Sequence, residues 1–176
     1  IPDAQESRGL GDVYKRQEFL LSPIIGISLE ELENSIEIFS SDIVQRFTDN
    51  LTKDLLQKHK EDTKILTSGS LSFLVNKIAL KLGIEISFGT DPEYLDGFFT
   101  GKVKGYPNFS EEKVRRIKFW MDSEQFDEIF SYSDSIHDLP LLEFSDFPIA
   151  ISPDSKLRVI AQERNWPIYD RRDSYS

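Results

Sequence analysis

The sequence predicts an α/β fold in which a parallel sheet is covered by helices on both faces. Two observations predict it. From residue 64 onward, short apolar runs alternate with segments whose apolar residues recur at helical spacing. One of those runs, Glu128-Ile-Phe-Ser-Tyr-Ser133, feeds straight into Asp134, with Asp138 four residues further on. A short apolar run ending in a carboxylate reads as a buried strand that delivers the carboxylate to its C-terminal tip. In open α/β sheets that edge binds ligands.

The elements follow in order. Residues 1–17 have no helical or strand period and no initiator Met, and read as disordered or as foreign sequence joined to a truncated gene. Ser28-Leu-Glu-Glu31 is a capping box. Behind it Leu32, Ile36, Phe39, Ile43 and Phe47 form one apolar stripe, which Leu51, Leu55 and Leu56 continue to about Lys60. Lys64-Ile-Leu-Thr67 is a short strand ending in Ser68-Gly69-Ser70. A helix follows with Phe73, Leu74, Ile78 and Leu82 inward and Gly83 as its stop. Ile84 to Phe88 is a second strand. Residues 93–104 read as a β-hairpin turning at Asp96-Gly97. Ser110-Glu-Glu-Lys113 opens a helix with Val114, Ile117, Trp120 and Met121 on one side. Strand 128–133, a helix from about Asp138, strand Pro148–Ser152, helix Ser155–Arg164 and a short strand Trp166–Tyr169 complete the pattern.

Composition excludes several functions. The formal net charge of −10 argues against nucleic acid as a partner, since a phosphate backbone needs a basic footprint. With no cysteine there is no disulfide, zinc–thiolate site or Cys nucleophile. Two histidines, His59 and His137, are too few for a His-rich metal site, and both read as surface residues. The longest apolar run, Phe19 to Ile27, is too short for a membrane span, and no signal peptide is legible, so a cytoplasmic location is expected.

Three strand ends bear chemistry. Ser68-Gly69, between a strand and a helix, suits a phosphate: the hydroxyl donates and the glycine lets backbone N–H groups approach. Thr-Ser-Gly-Ser is equally a common loop composition. Lys113 sits in the first turn of its helix, where the dipole slightly disfavours a cation unless it reaches an anion site. Asp134 and Asp138 are hard oxygen ligands suited to Mg²⁺ and through it to a phosphate. The same segment would also serve as an acidic loop capping the next helix.

Ser68, Lys113, Asp134 and Asp138, in that order on successive βα units, resemble the haloacid dehalogenase superfamily, in its phosphoserine-phosphatase-like branch. The matching stretches are Ile65–Ser70, Phe98–Gly105, Glu111–Ile117, Tyr132–Glu143 and Ile151–Leu157 through Asn165–Ile168, and the likeness spans about residues 26–170. The resemblance implies a Rossmann-like core with a hairpin insertion and a helical cap. It implies a Mg²⁺-dependent phosphatase acting on a small phosphorylated substrate through an aspartyl-phosphate. Ser68 and Gly69 would bind the phosphoryl oxygens and Lys113 would neutralise them. Asp134 would hold the metal, and Asp138 its water shell or the lysine. The expected layout is a partial cap at 18–60, the core at 61–170 and a tail at 171–176.

Two departures stand out. Ser133 occupies a position where many relatives have Gly. More important, the family's first strand ends in Asp-x-Asp, which supplies the nucleophile and the general acid/base. No Asp-x-Asp occurs in the 176 residues. Two expectations follow: an N-terminally truncated phosphatase that lacks its first central strand and is inactive as written, or a non-catalytic phosphate-binding module. A receiver-like domain is a remote third, which Ser68 and Lys113 fit less well.

Overall fold

The computed structural model describes residues 22–122 and 126–171. The chain divides into two units. One contains the described residues up to Phe47 together with Thr63–Asn108, and the other contains Thr48–Asp62 and the residues from Phe109 onward. The expectations for residues 1–17 lie outside the described residues.

The first unit opens with helix α1 (Leu29–Phe47). Its capping box forms as the sequence predicts. The Glu31 carboxylate accepts from the Ser28 N–H at 2.7 Å, and Ser28 Oγ accepts from the Glu31 N–H at 3.2 Å. These bonds hold the Glu31 carboxyl below its usual range, the Ser28 backbone bond contributing most. The inward stripe differs from expectation. Ile36 and Ser40 are buried, whereas Phe39 and Phe47 are 51% and 62% exposed. Small Ser40 takes the contact position, its hydroxyl turned back onto the Glu37 carbonyl at 3.1 Å. The single long helix also breaks. Asp49 accepts from the Thr52 N–H at 2.8 Å and caps a new helix, α2 (Asn50–Lys58), which belongs to the second unit.

Strand β1 (Ile65–Leu71) runs on past Thr67, the expected end, and pairs in parallel with β2 (Ile86–Thr90). Helix α3 (Ser72–Lys81) connects them, burying Val75 and Ala79, and Gly83 at φ +70° ends it as predicted. Lys77 and Lys81 ion-pair with Glu33 and Glu37 and tie α3 to α1 on the solvent side. Strands β3 (Pro92–Leu95) and β4 (Phe98–Val103) form the predicted hairpin, with positive φ at both Asp96 and Gly97.

The second unit holds helix α4 (Glu111–Met121) and a parallel sheet in the order β5 (Phe130–Ser133), β6 (Phe147–Ile151), β7 (Ile168–Tyr169). A 3-10 turn at Ile136–Asp138 precedes α5 (Leu139–Phe144), and α6 (Ser155–Glu163) joins β6 to β7. Leu142, Ala150, Leu157 and Ala161 are fully buried as one cluster, with Ile136, Trp166 and Ile168 packed against it. The α/β class with parallel strands and connecting helices is as the sequence predicts. Among the described residues the parallel strands pair as β1–β2 and as β5–β6–β7.

Candidate active site

The end of β5 holds the acidic pair. Alternation along this strand buries Ser131 and Ser133. Asp134 follows, exposed, and its carboxylate makes no hydrogen bond or ion pair with a described residue. Asp138, at the end of the 3-10 turn, is engaged through both oxygens. Oδ1 accepts from Lys113 Nζ at 2.6 Å and Oδ2 from Ser133 Oγ at 2.8 Å. Lys113 is 7% exposed, so its charge is carried into the protein from the first turn of α4 and met there by a carboxylate. Burying an ammonium costs several kcal/mol unless it is paired in this way. That explains a lysine at a helix position the dipole disfavours.

Ser133, the departure from the family's usual Gly, braces this arrangement. Its hydroxyl donates to Asp138 and accepts from the Ser135 N–H at 3.2 Å. A further residue at this site, beyond those the sequence predicts, is Asp154. It caps α6 by accepting from the Lys156 and Leu157 N–H groups at 3.0 and 2.9 Å. Its other oxygen accepts from the Ile136 N–H at 2.7 Å, and its own N–H donates to the Asp134 carbonyl at 2.8 Å. The loops after the parallel neighbours β5 and β6 are thereby locked together. The Leu157 and Ile136 backbone bonds hold the Asp154 carboxyl below its usual range. Asp-Ser-Lys after Pro153 carries the composition of an N-cap, a signal that could have found it.

Ser68 and Gly69 belong to the first unit, and the local structure there differs from a simple loop. Thr67 is registered with Phe88 and Leu71 with Thr90, so Ser68, Gly69 and Ser70 together stand opposite Gly89 alone. The candidate phosphate-binding turn is a bulge within β1, a device that re-aims side chains next to functional sites. Ser68 Oγ accepts from the Ser70 N–H at 3.2 Å and donates to no described residue. Gly89 is required opposite the bulge. A Cβ there would lie 2.5 Å from Ser72 Cα and 2.9 Å from the Ser70 carbonyl oxygen. A glycine inside an apolar strand run signals such a close approach.

The bulge is held from behind by Asn108, which is fully buried. Its Nδ2 lies 3.0 Å from Thr67 Oγ1, 2.8 Å from the Ser68 carbonyl oxygen and 2.9 Å from that of Phe88. Its N–H donates to Thr90 Oγ1 at 3.0 Å, and Thr90 Oγ1 donates to the Gly69 carbonyl at 2.8 Å. Asn108 Oδ1 accepts no hydrogen bond, alone in this among the buried side-chain N and O atoms of the described residues. Nothing in the sequence around Asn108 announced this role.

No group of three or more His, Asp or Glu side chains able to hold a metal occurs among the described residues. The donors present are Asp134 and, engaged by Lys113 and Ser133, Asp138. They fit Mg²⁺ in kind, since that ion takes hard oxygen ligands and is commonly held by one or two carboxylates together with water and substrate phosphate. No described helix is long and apolar enough to cross a membrane.

The chain is 29% identical to a histidinol-phosphatase of Neisseria meningitidis over 168 residues, covering 91% of this chain and 76% of that protein. It is 32% identical to the phosphoserine phosphatase SerB1 of Mycobacterium tuberculosis, covering 92% of this chain but only 54%, about half, of that protein's length. A solved protein of unknown function from Bordetella pertussis Tohama I superposes with a TM-score of 0.80 at 34% identity, over 97% of this chain and 85% of that one. A phosphoserine phosphatase in its apo form shares the fold, with a TM-score of 0.65 at 19% identity, over 94% of this chain and 79% of that one. The family model described as haloacid dehalogenase-like hydrolase matches residues 10–143. The chain belongs to the haloacid dehalogenase-like hydrolases.

Proposed function

We propose that this chain carries the phosphate-holding and magnesium-holding stations of a phosphomonoester hydrolase for small phosphorylated substrates. The observation that carries this reading is the buried Lys113–Asp138 pair at the end of the strand that presents exposed Asp134. A dianionic phosphoryl group needs a fixed cation, a metal and oriented donors. Lys113, oriented by Asp138 and Ser133, is the cation. Asp134 would hold the metal, and Asp138, while holding the lysine, would add negative charge beside it. Ser68, with Gly69 beside it, offers its hydroxyl to a phosphoryl oxygen. Mg²⁺, when bound, supplies charge neutralisation at the phosphoryl group. The relatives named as histidinol-phosphatase and phosphoserine phosphatase support a phosphate monoester as the substrate class.

The 176 residues contain no Asp-x-Asp, so the family's aspartyl-phosphate chemistry has no nucleophile here. The chain as written is therefore expected to bind phosphate esters without hydrolysing them. The alternative reading is a non-catalytic phosphate-binding module. A panel of phosphoserine, histidinol phosphate and p-nitrophenyl phosphate with Mg²⁺ tests the first point, and the expected result is no turnover. Fusing a family strand that bears Asp-x-Asp ahead of residue 22 then separates the readings. Gain of turnover identifies a hydrolase scaffold, and continued binding without turnover identifies a module.

A further inference from the structure

Asn108 donates through one terminal nitrogen to three acceptors, and an amide NH₂ has two hydrogens, so one bond is shared. That crowd of acceptors fixes which terminal atom is nitrogen, because a flipped amide would set oxygen against three oxygens. The cost is the orphaned Oδ1. A residue placed here only to fill space would carry no buried polar atom without a partner, so the position is occupied for its donors. Those donors converge on the bulge. Asn108 takes the Ser68 carbonyl and Thr90 takes the Gly69 carbonyl. In a planar trans peptide the C=O and the following N–H point in opposite directions. Fixing the Ser68 carbonyl on Asn108 therefore fixes the direction of the Gly69 N–H. Fixing the Gly69 carbonyl likewise aims the Ser70 N–H, which meets Ser68 Oγ.

We propose that Asn108, with Thr90 as its second link, is a positioning residue for phosphate capture: it clamps the β1 bulge so that the Ser68 hydroxyl keeps one orientation. The phosphate part of this statement rests on the role proposed above for Ser68 and Gly69. The clamp itself rests only on the geometry of the first unit.

The test uses the full chain, ¹⁵N-labelled, with Mg²⁺ and inorganic phosphate as the probe. Asn108→Leu keeps the branching at Cγ and removes the donors. Thr90→Val removes the second link with little change of shape and serves if the first variant fails to fold. In a variant that retains a cooperative urea transition, the Ser68, Gly69 and Ser70 amide signals are expected to move. Their hydrogen exchange is expected to quicken and the phosphate Kd to weaken by about tenfold, the scale of one net hydrogen bond. Signals from the β5–β6–β7 sheet stay in place. A folded variant with unchanged bulge signals, exchange and phosphate affinity overturns the proposal. If phosphate moves none of these signals in the unmodified chain, the phosphate reading of the bulge fails. Exchange then still decides the clamp: quickened exchange upholds it, and unchanged exchange overturns it.

Discussion

Lys113 Nζ donates to Asp138 Oδ1 across 2.6 Å, with 8% and 14% of the two side chains exposed. At that burial the two charges depend on each other. Removing one leaves the other in a poorly solvating environment, which typically costs about 3–5 kcal/mol. Asp138→Leu is accordingly expected to destabilise the chain by about that amount, and the double variant Lys113→Met/Asp138→Leu by clearly less, since it leaves no lone buried charge. Urea denaturation of the two single variants and the double variant checks this. Equal and additive losses would contradict it.

Gly89 answers to a steric limit. Gly89→Ala puts a methyl 2.5 Å from backbone of the β1–α3 junction, where no flexible side chain can yield. Overpacking of this kind costs about 1–3 kcal/mol. The expected outcome is a lowered denaturation midpoint together with shifted amide signals at Ser70–Ser72. An unchanged protein would mean that β1 and α3 sit farther from β2 than described.

Asp154 sets a pH dependence. Its carboxyl lies below the usual range in the folded chain because the Leu157 and Ile136 N–H groups, with Lys156, bond its charged form. A group depressed on folding contributes stability that is fully present above its unfolded pKa, about 3.9. That contribution is lost as pH falls through the lower folded value. The stability gap between the unmodified chain and Asp154→Asn is therefore expected to be constant from neutral pH to about pH 5 and to shrink below pH 4. Denaturation midpoints across that range measure it. A gap that widens on acidification would contradict the assignment.

The exposure of Phe39 and Phe47 predicts a contrast along α1. Phe39→Ser is expected to change stability by no more than about 0.5 kcal/mol, as surface substitutions do. Ile36→Ala, one turn earlier and buried, should cost about 2–5 kcal/mol. Thermal or urea melts of the pair decide this, and a large loss at Phe39 would show that the face is covered.

The sequence showed the α/β alternation, the hairpin and the acidic pair plainly, because each leaves a local signature. Asp96-Gly97 needs left-handed backbone, Ser28 and Glu31 cap each other, and the run before Asp134 is apolar and short. What stayed hidden depends on tertiary contact. Spacing places Phe39 on the inward stripe of α1, yet small Ser40 lies inward instead, since spacing alone does not say how close α3 comes. The bulge at Ser68–Ser70 depends on register with β2, which no local pattern encodes. Asn108 acts on partners 18 to 41 residues away in the chain, so no spacing rule points to it. At the candidate site Lys113, Asp134 and Asp138 stand out by residue type together with their place at a helix start and a strand end. In the sequence Ser133 stands out only as a departure from the family; its bonds to Asp138 and Ser135 belong to the folded structure.

In the function proposed above, Lys113 and Asp134 serve phosphate and magnesium together. Isothermal titration of the chain with inorganic phosphate, with and without Mg²⁺, tests it most directly. The expected result is phosphate binding that Mg²⁺ strengthens, a loss of that Mg²⁺ dependence in Asp134→Asn, and a loss of phosphate binding in folded Lys113→Met. Phosphate affinity indifferent to Mg²⁺ and unchanged in both variants would contradict it.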